Sequence, residues 1–203
     1  MKYIIATHNA HKLIEISRIL EPLGIEAVTD TQLGIALPEV EETGTTFAEN
    51  AYIKAEAACR FSGLPAIADD SGLAVDALNG APGVYSARYA GENATDEERN
   101  EKLLKEMENV PPEKRQAHFV SAVCCVFPNG DVLNSLGEVH GMLNYAPVGE
   151  NGFGYDPLFL VGERTTAQMS PAEKDAISHR GRALEDFSRQ LKDYLQRKEQ
   201  KGE

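Results

Sequence analysis

The sequence has little of what would mark a secreted or membrane-bound chain. Its three cysteines, Cys59, Cys124 and Cys125, are odd in number and lack Cys-x-x-Cys spacing. Neither a disulfide framework nor a zinc site is indicated, and the cytoplasm is the expected compartment. Cys124 and Cys125 are expected to pack in a core. No apolar run is long enough to span a bilayer. The opening Met-Lys-Tyr-Ile-Ile-Ala-Thr-His-Asn turns polar too early for a signal peptide. Positive charge is also scarce: 20 Lys and Arg against 32 Asp and Glu leave a net charge of −12. That argues against holding long nucleic acid by its phosphate backbone. A single nucleotide in a locally basic pocket, with a metal ion, stays compatible. No internal repeat or long low-complexity linker divides the 203 residues. Residues 1–203 suffice for one domain with a sizeable core, or for two lobes around a cleft.

Against these absences stands residues 66–73, Ala-Ile-Ala-Asp-Asp-Ser-Gly-Leu. The apolar start reads as a buried strand, and Asp69, Asp70, Ser71 and Gly72 read as a turn at its end. Were the strand to continue, Asp69 and Asp70 would point to opposite faces. One of them can then face a ligand at the strand's carboxyl end, where open α/β sheets bind.

Residues 2–6 read as an opening strand, and Leu13, Ile16, Ile19, Leu20 and Leu23 follow helical spacing up to Pro22 and Gly24. Between them, residues 7–12 form a polar turn into a helix N-terminus, where free N–H groups and the helix dipole favour an anion. Thr7 and Asn9 can add donors and Lys12 a charge; the alternative is a capped helix with solvated polar residues. The glycines of a Walker loop are missing. Residues 25–28 are expected as a strand and residues 30–45 as irregular, acidic loop. Thr46-x-x-Glu49 is a capping box opening a helix that Gly63 ends. Mid-helix Lys54 either snorkels or contacts phosphate. Thr95-x-x-Glu98 opens a further helix, closed by Pro111-Pro112. Residues 116–127 read as the clearest strand, Asn129-Gly130 as a hairpin turn and residues 131–139 as the return. Gly149 to Pro157 form a loop that can present an aromatic ring, with a strand over 158–161. Ser170-Pro171-x-Glu173 opens a short helix, and Ser178 caps a terminal one that frays from Gln196 onward. Arg180 in its first turn opposes the dipole by roughly 0.3–1 kcal/mol, which favours a ligand or carboxylate partner there. Together these elements predict an α/β fold: a mixed, twisted sheet flanked by helices.

Taken together, the motifs resemble the inosine triphosphate pyrophosphatase family. The matching stretches are Thr7-x-Asn9-x-x-Lys12, Glu42-Thr43-Gly44-x-Thr46-Phe47-x-Glu49-Asn50-Ala51, Lys54-Ala55, residues 68–73, Gly80-Ala81-Pro82-Gly83 with Ser86-Ala87-Arg88-Tyr89, residues 152–157, Glu173-Lys174 and Ser178-His179-Arg180. Each is short, but together they cover nearly the whole chain in the family's order. His8 stands where the family usually has glycine, and His11 where a small residue or asparagine is common. The resemblance implies hydrolysis of ITP, dITP or XTP to the monophosphate and pyrophosphate, with Mg²⁺, in a two-lobed fold with a central cleft and a homodimer. By position it implies that Thr7, His8, Asn9, Ala10, His11 and Lys12, with Lys54, hold the triphosphate. Glu42 and Asp70 would bind metal, Asp70 would also be the base for the attacking water, and Ser71 would contact substrate. Phe153, Gly154, Tyr155 and Asp156 would cover base and sugar, with Phe153 the stacking ring, while Lys174, His179 and Arg180 would read the purine edge.

Three rival readings are separable. A pyrophosphatase for a modified pyrimidine conflicts with Ser178-His179-Arg180 as a purine reader. A phosphoacceptor receiver domain would need five repeated βα units, which the later hairpin interrupts. A non-catalytic nucleotide sensor would bind ITP without turnover.

Overall fold

Alternation along the strands sorts the core residues onto two faces. In β1 (Lys2–Ile5), Tyr3 and Ile5 belong to one apolar cluster and Ile4 to another. In β3 (Ala66–Val75), Ile67 joins the first cluster and Ala66 and Ala68 the second. In β4 (Gln116–Val126), Val123 and Cys125 lie with the first and Ala122 and Cys124 with the second. This is the period-2 pattern of a sheet buried on both faces. The computed structural model describes residues 1–7 and 9–201, without the side chains of His11 and Lys201. The phosphate-loop roles expected for His8 and for the His11 side chain lie outside the described residues.

Seven strands form one sheet in the order β2-β1-β3-β4-β5-β6-β7, with β2 at Glu26–Val28, β5 at Val132–Leu143, β6 at Phe159–Val161 and β7 at Arg164–Thr165. β1 pairs in parallel with β2 and β3, whereas β5–β6 and β6–β7 are antiparallel. The sheet is therefore mixed, as expected, and does not follow the repeated βα pattern of a receiver domain. The chain divides into two units, residues Met1–Asp70, Ser121–Gly137 and Arg182–Glu203 in the first and Ser71–Val120 and Glu138–Gly181 in the second.

In the first unit, α1 (Ala10–Leu20) and α6 (His179–Lys201) supply Ile16, Leu20, Leu184, Phe187 and Leu191 to one face. α3 (Phe47–Ser62) covers the other face with Ala51, Ala55 and Ala58, whose small side chains bring the helix close to the strands. Each fully buried Leu or Phe stabilises the fold by ~1.5–3 kcal/mol. In the second unit, α4 (Asp96–Glu106) packs Leu103, with Met107 just beyond its end, against Phe119, Val139 and Phe159. The capping boxes at Thr46/Glu49, Thr95/Glu98 and Ser170/Glu173 are all formed, the last opening α5 (Pro171–Ile177).

Several expectations need correction. Asp69, Asp70, Ser71 and Gly72 are not a turn; β3 runs through them to Val75. Residues 30–45 are not wholly irregular, because Thr29 and Gln32 form a capping box on the one-turn helix α2 (Asp30–Leu33). α4 ends before the Pro-Pro pair, and β5 extends past Val139 to Leu143. The terminal helix continues beyond Gln196 to Lys201.

Candidate active site

The uninterrupted course of β3 splits its two adjacent carboxylates. Asp69 points to the face of α1 and α6, its side chain fully buried, where it pairs with Lys12 and accepts a hydrogen bond from the Ser121 hydroxyl. Lys12 also donates to the Asp69 carbonyl at 3.3 Å. The Lys12 backbone N–H in turn donates to Asn9 Oδ1 at 3.3 Å, and the Asn9 N–H to Thr7 Oγ1 at 3.1 Å. The turn expected as an anion site is thus internally braced, and Asp69 anchors its lysine.

Asp70 points to the α3 face. Its Oδ1 accepts from Lys54 Nζ at 2.8 Å, and the same ammonium donates to Glu42 Oε1 at 2.9 Å. Lys54 therefore lies between the two carboxylates expected to bind metal. The buried Oδ2 of Asp70 has no hydrogen-bond partner, an arrangement that costs about 1–3 kcal/mol for such a group. The two ends of this ion pair respond differently. Burial lowers the Lys54 ammonium's pKa, but Asp70 and Glu42 together outweigh it and hold it above its ordinary value. Burial raises the Asp70 carboxyl, Lys54 and Lys12 pull it back, Glu42 pushes it up again, and it stays above the usual carboxylate range. The lysine has two carboxylates beside it, whereas Asp70 has burial and the Glu42 charge working against its one close ammonium. A cavity of about 320 Å³ is lined by Thr7, Glu42 and Lys54 together with apolar Ile5, Leu37 and Val40.

Whether these groups suit a divalent cation can be judged from the donor set. Among the described residues no group of three or more His, Cys, Asp and Glu converges as a ready-made site. Two oxygen donors, one of them buried and unsatisfied, do suit Mg²⁺, which is commonly held by one or two carboxylates together with substrate phosphates and water.

In the second unit, Gly72 shows why the Gly80-Ala81-Pro82-Gly83 and Ser86 motifs accompany β3. A Cβ on Gly72 would lie 2.7 Å from the Gly83 carbonyl and closer still to Ser86 Oγ. Ser86 Oγ accepts from the Leu73 N–H at 2.9 Å and donates to the Gly83 carbonyl at 2.7 Å. Arg88 places its guanidinium over the Tyr85 ring at 5.2 Å. Arg180 is 5% exposed and donates to Ser71 Oγ at 3.2 Å. His179 stacks on Phe119 with ring centroids 4.9 Å apart and 14° between planes. Ser178 caps α6 as expected, its Oγ accepting from the Gly181 N–H at 2.9 Å.

The aromatic loop is organised around Asp156. Its Oδ2 accepts from the Phe153 N–H at 2.9 Å and from Lys174 Nζ at 2.5 Å, and its Oδ1 from Thr166 Oγ1 at 2.8 Å. Gly152 and Gly154, at φ +80° and +62°, take the left-handed backbone that this tight loop needs. Phe153 is 41% exposed, and Lys174 Nζ sits 4.9 Å from its ring centroid. Tyr155, expected beside it over base and sugar, instead turns its side chain into the core and donates its hydroxyl to the Ser86 carbonyl at 2.8 Å. Asp96 and Asn100 of α4, which sequence reasoning missed, grip Gly154: its N–H donates to Asp96 Oδ2 at 2.6 Å, and its carbonyl accepts from Asn100 Nδ2 at 3.0 Å. A readable signal existed, since Asn100 is a polar residue at helical spacing from Leu103 and Met107.

Residues 3–190 match the model of the Ham1 family. A dITP/XTP pyrophosphatase of Geobacter sulfurreducens is 50% identical over 196 residues, covering 96% of each chain. One of Clostridium perfringens is 46% identical over 202 residues, covering 96% of this chain and 98% of that relative. The solved structure of a HAM1 protein from Coxiella burnetii superposes with a TM-score of 0.89 at 45% identity, covering 95% of this chain and 99% of that one.

Proposed function

This chain belongs to the Ham1 family, and from that premise we infer that it hydrolyses dITP and XTP to the monophosphate and pyrophosphate, removing deaminated purines from the nucleotide pool. The observation that carries the chemistry is Asp70, a buried carboxylate with one oxygen on Lys54 and the other without a partner. The names of the relatives support the substrate class and favour none of the rivals.

Thr7, Asn9, Lys12 and Lys54 hold the triphosphate, which also explains how a chain of net charge −12 accepts a polyanion. Glu42 and Asp70 hold Mg²⁺, which when bound neutralises phosphate oxygens and acidifies water. Asp70 Oδ2 takes a proton from the attacking water. The new bond forms between the water oxygen and the α-phosphorus, the bond to the bridging oxygen breaks, and pyrophosphate leaves. Positioning and charge neutralisation supply most of what such a displacement needs. Phe153 stacks on the base, held by Asp156. Lys174, His179 and Arg180 face its edge. Arginine, lysine and protonated histidine offer only donors. Hypoxanthine and xanthine present an O6 acceptor, whereas adenine presents an amino donor there. A site built of donors leaves adenine's group unpaired and rejects it. The protein works in the cytoplasm, consistent with its buried free cysteines, and as a homodimer; light scattering should give twice the chain's mass.

The test is product analysis with Mg²⁺ and, separately, dITP, XTP, dATP, dGTP and dTTP. Monophosphate plus pyrophosphate from dITP and XTP, with little from the others, is the expected result. Diphosphate plus orthophosphate would mean attack at the γ-phosphorus, and binding without turnover would mean a sensor.

A further inference from the structure

We propose that Asp96 and Asn100 are positioning residues that fix the base platform at Phe153 by gripping the peptide groups on both sides of Gly154. The inference rests on the reading of Phe153 as the stacking ring and adds how that ring is held.

Asn100 is poorly placed for stability alone. It stands inside a helix, where asparagine is a weak former. It is buried on the stripe that carries Leu103 and Met107. Its Oδ1 has no hydrogen-bond partner, so only half of its amide is used. The half that is used donates to the Gly154 carbonyl. One turn earlier on the same helix, Asp96 accepts from the Gly154 N–H. Asp96 is itself tied to Arg99, whose guanidinium donates to the Ala87 and Ala94 carbonyls at 2.8 and 2.7 Å. The Phe153 N–H, on the other side of the ring's backbone, is held by Asp156. Three hydrogen bonds therefore fix three successive peptides, the two that flank the half-exposed Phe153 and the next one at 154–155, beside a glycine whose left-handed φ leaves the backbone otherwise free to move. A ring held this way needs no ordering when a base arrives, and pre-organisation of that kind appears as affinity.

Steady-state kinetics with dITP, together with thermal unfolding, test the inference. Phe153→Ala should raise KM about tenfold with kcat little changed, as loss of a base stack predicts. Asn100→Leu, close in volume and suited to the apolar stripe, should fold with near-normal Tm and yet raise KM severalfold. Asp96→Ala, on the first turn of the helix, should do the same and serves if the Asn100 variant fails to fold. Asp96→Asn keeps an acceptor for the Gly154 N–H and should restore KM. Combining Asn100→Leu with Phe153→Ala should leave KM no higher than Phe153→Ala alone. If Phe153→Ala leaves KM unchanged, the platform reading fails. If Phe153→Ala raises KM but neither α4 variant does, or the effects add in the double variant, the platform stands and the positioning role is overturned.

Discussion

Asp69 and Asp70 are the same residue type, joined by one peptide bond on one strand, and they are kept in opposite conditions. Asp69 has its carboxylate on Lys12 and the Ser121 hydroxyl, fully buried and hydrogen-bonded. Asp70 shares a single ammonium with Glu42, leaves one oxygen unsatisfied, and has its carboxyl raised by burial. The pleat alone makes this division, because successive side chains face different helices. The lesson is that a buried carboxylate supports the fold when its partners are complete, and is available for chemistry when they are withheld.

The sharpest way to break the comparison is to neutralise each acid in turn. Asp70→Asn should lower kcat by roughly 10²–10⁴-fold, the usual contribution of a general base, while Tm at neutral pH stays equal or rises. The sign follows from the carboxyl's raised pKa. The stability it contributes is present below the ordinary carboxylate value and is lost as pH rises through the folded value, so at neutral pH the ionised group burdens the fold. Calorimetry beside single-turnover rates would show the split, and a large loss of Tm would contradict it. Asp69→Asn should behave in the opposite way, costing about 3–5 kcal/mol in urea unfolding, because Lys12 is left without its buried counter-charge.

A smaller effect is expected at the shared ammonium. Lys54→Gln should reduce kcat/KM roughly ten- to hundredfold, the scale of a lost charge-assisted hydrogen bond. Without that cation the Asp70 carboxyl moves further up, so the acid limb of the kcat/KM profile should shift to higher pH. A limb that stays in place would show that Lys54 does not govern the base.

The smallest effect concerns Glu173, a surface carboxylate that titrates the other way. Hydrogen bonds from Ser170, with Arg164 adding to them, pull its pKa down to about 2. Its stabilisation of α5 is therefore present above the unfolded value of 4.5 and is lost as pH falls through about 2. An NMR titration should show α5 fraying only at that acidity, and Glu173→Gln should remove the pH dependence.

What the sequence made legible was local. Three capping boxes, the hairpin at Asn129-Gly130 and the alternating apolar runs each depend on residues a few positions apart, and each is present in the fold. The Asp-Asp-Ser-Gly stretch misled because its composition belongs to loops. What makes it strand is tertiary: Lys12, Ser121 and Lys54 lie 57, 52 and 16 residues from the acids they serve. α2 was missed because one turn leaves little periodicity, and β7 because two residues leave none. At the candidate site, the resemblance pairs Glu42 with Asp70 and groups Lys54 with the phosphate loop, and the three side chains meet. The motif suggests Tyr155 and Asp156 over base and sugar, yet the Asp156 side chain bonds within its loop and the Tyr155 side chain turns into the core, because a motif does not show which way its side chains turn. Asp96 and Asn100 are hard to read because their partner is a backbone group, and the one trace is the polar Asn100 at helical spacing from Leu103 and Met107.

The continuity of β3 also bears on how this gene can change over evolutionary time. Along residues 66–75 the roles are assigned by parity, odd positions to one face and even positions to the other. A substitution there alters one side chain. Inserting or deleting a single codon upstream in the strand would turn every later residue over, presenting Asp69 to Lys54 and Asp70 to Lys12. The two acids would exchange surroundings while the encoded composition barely changed. The segment can therefore accept some point mutations, but its length is fixed as tightly as a reading frame.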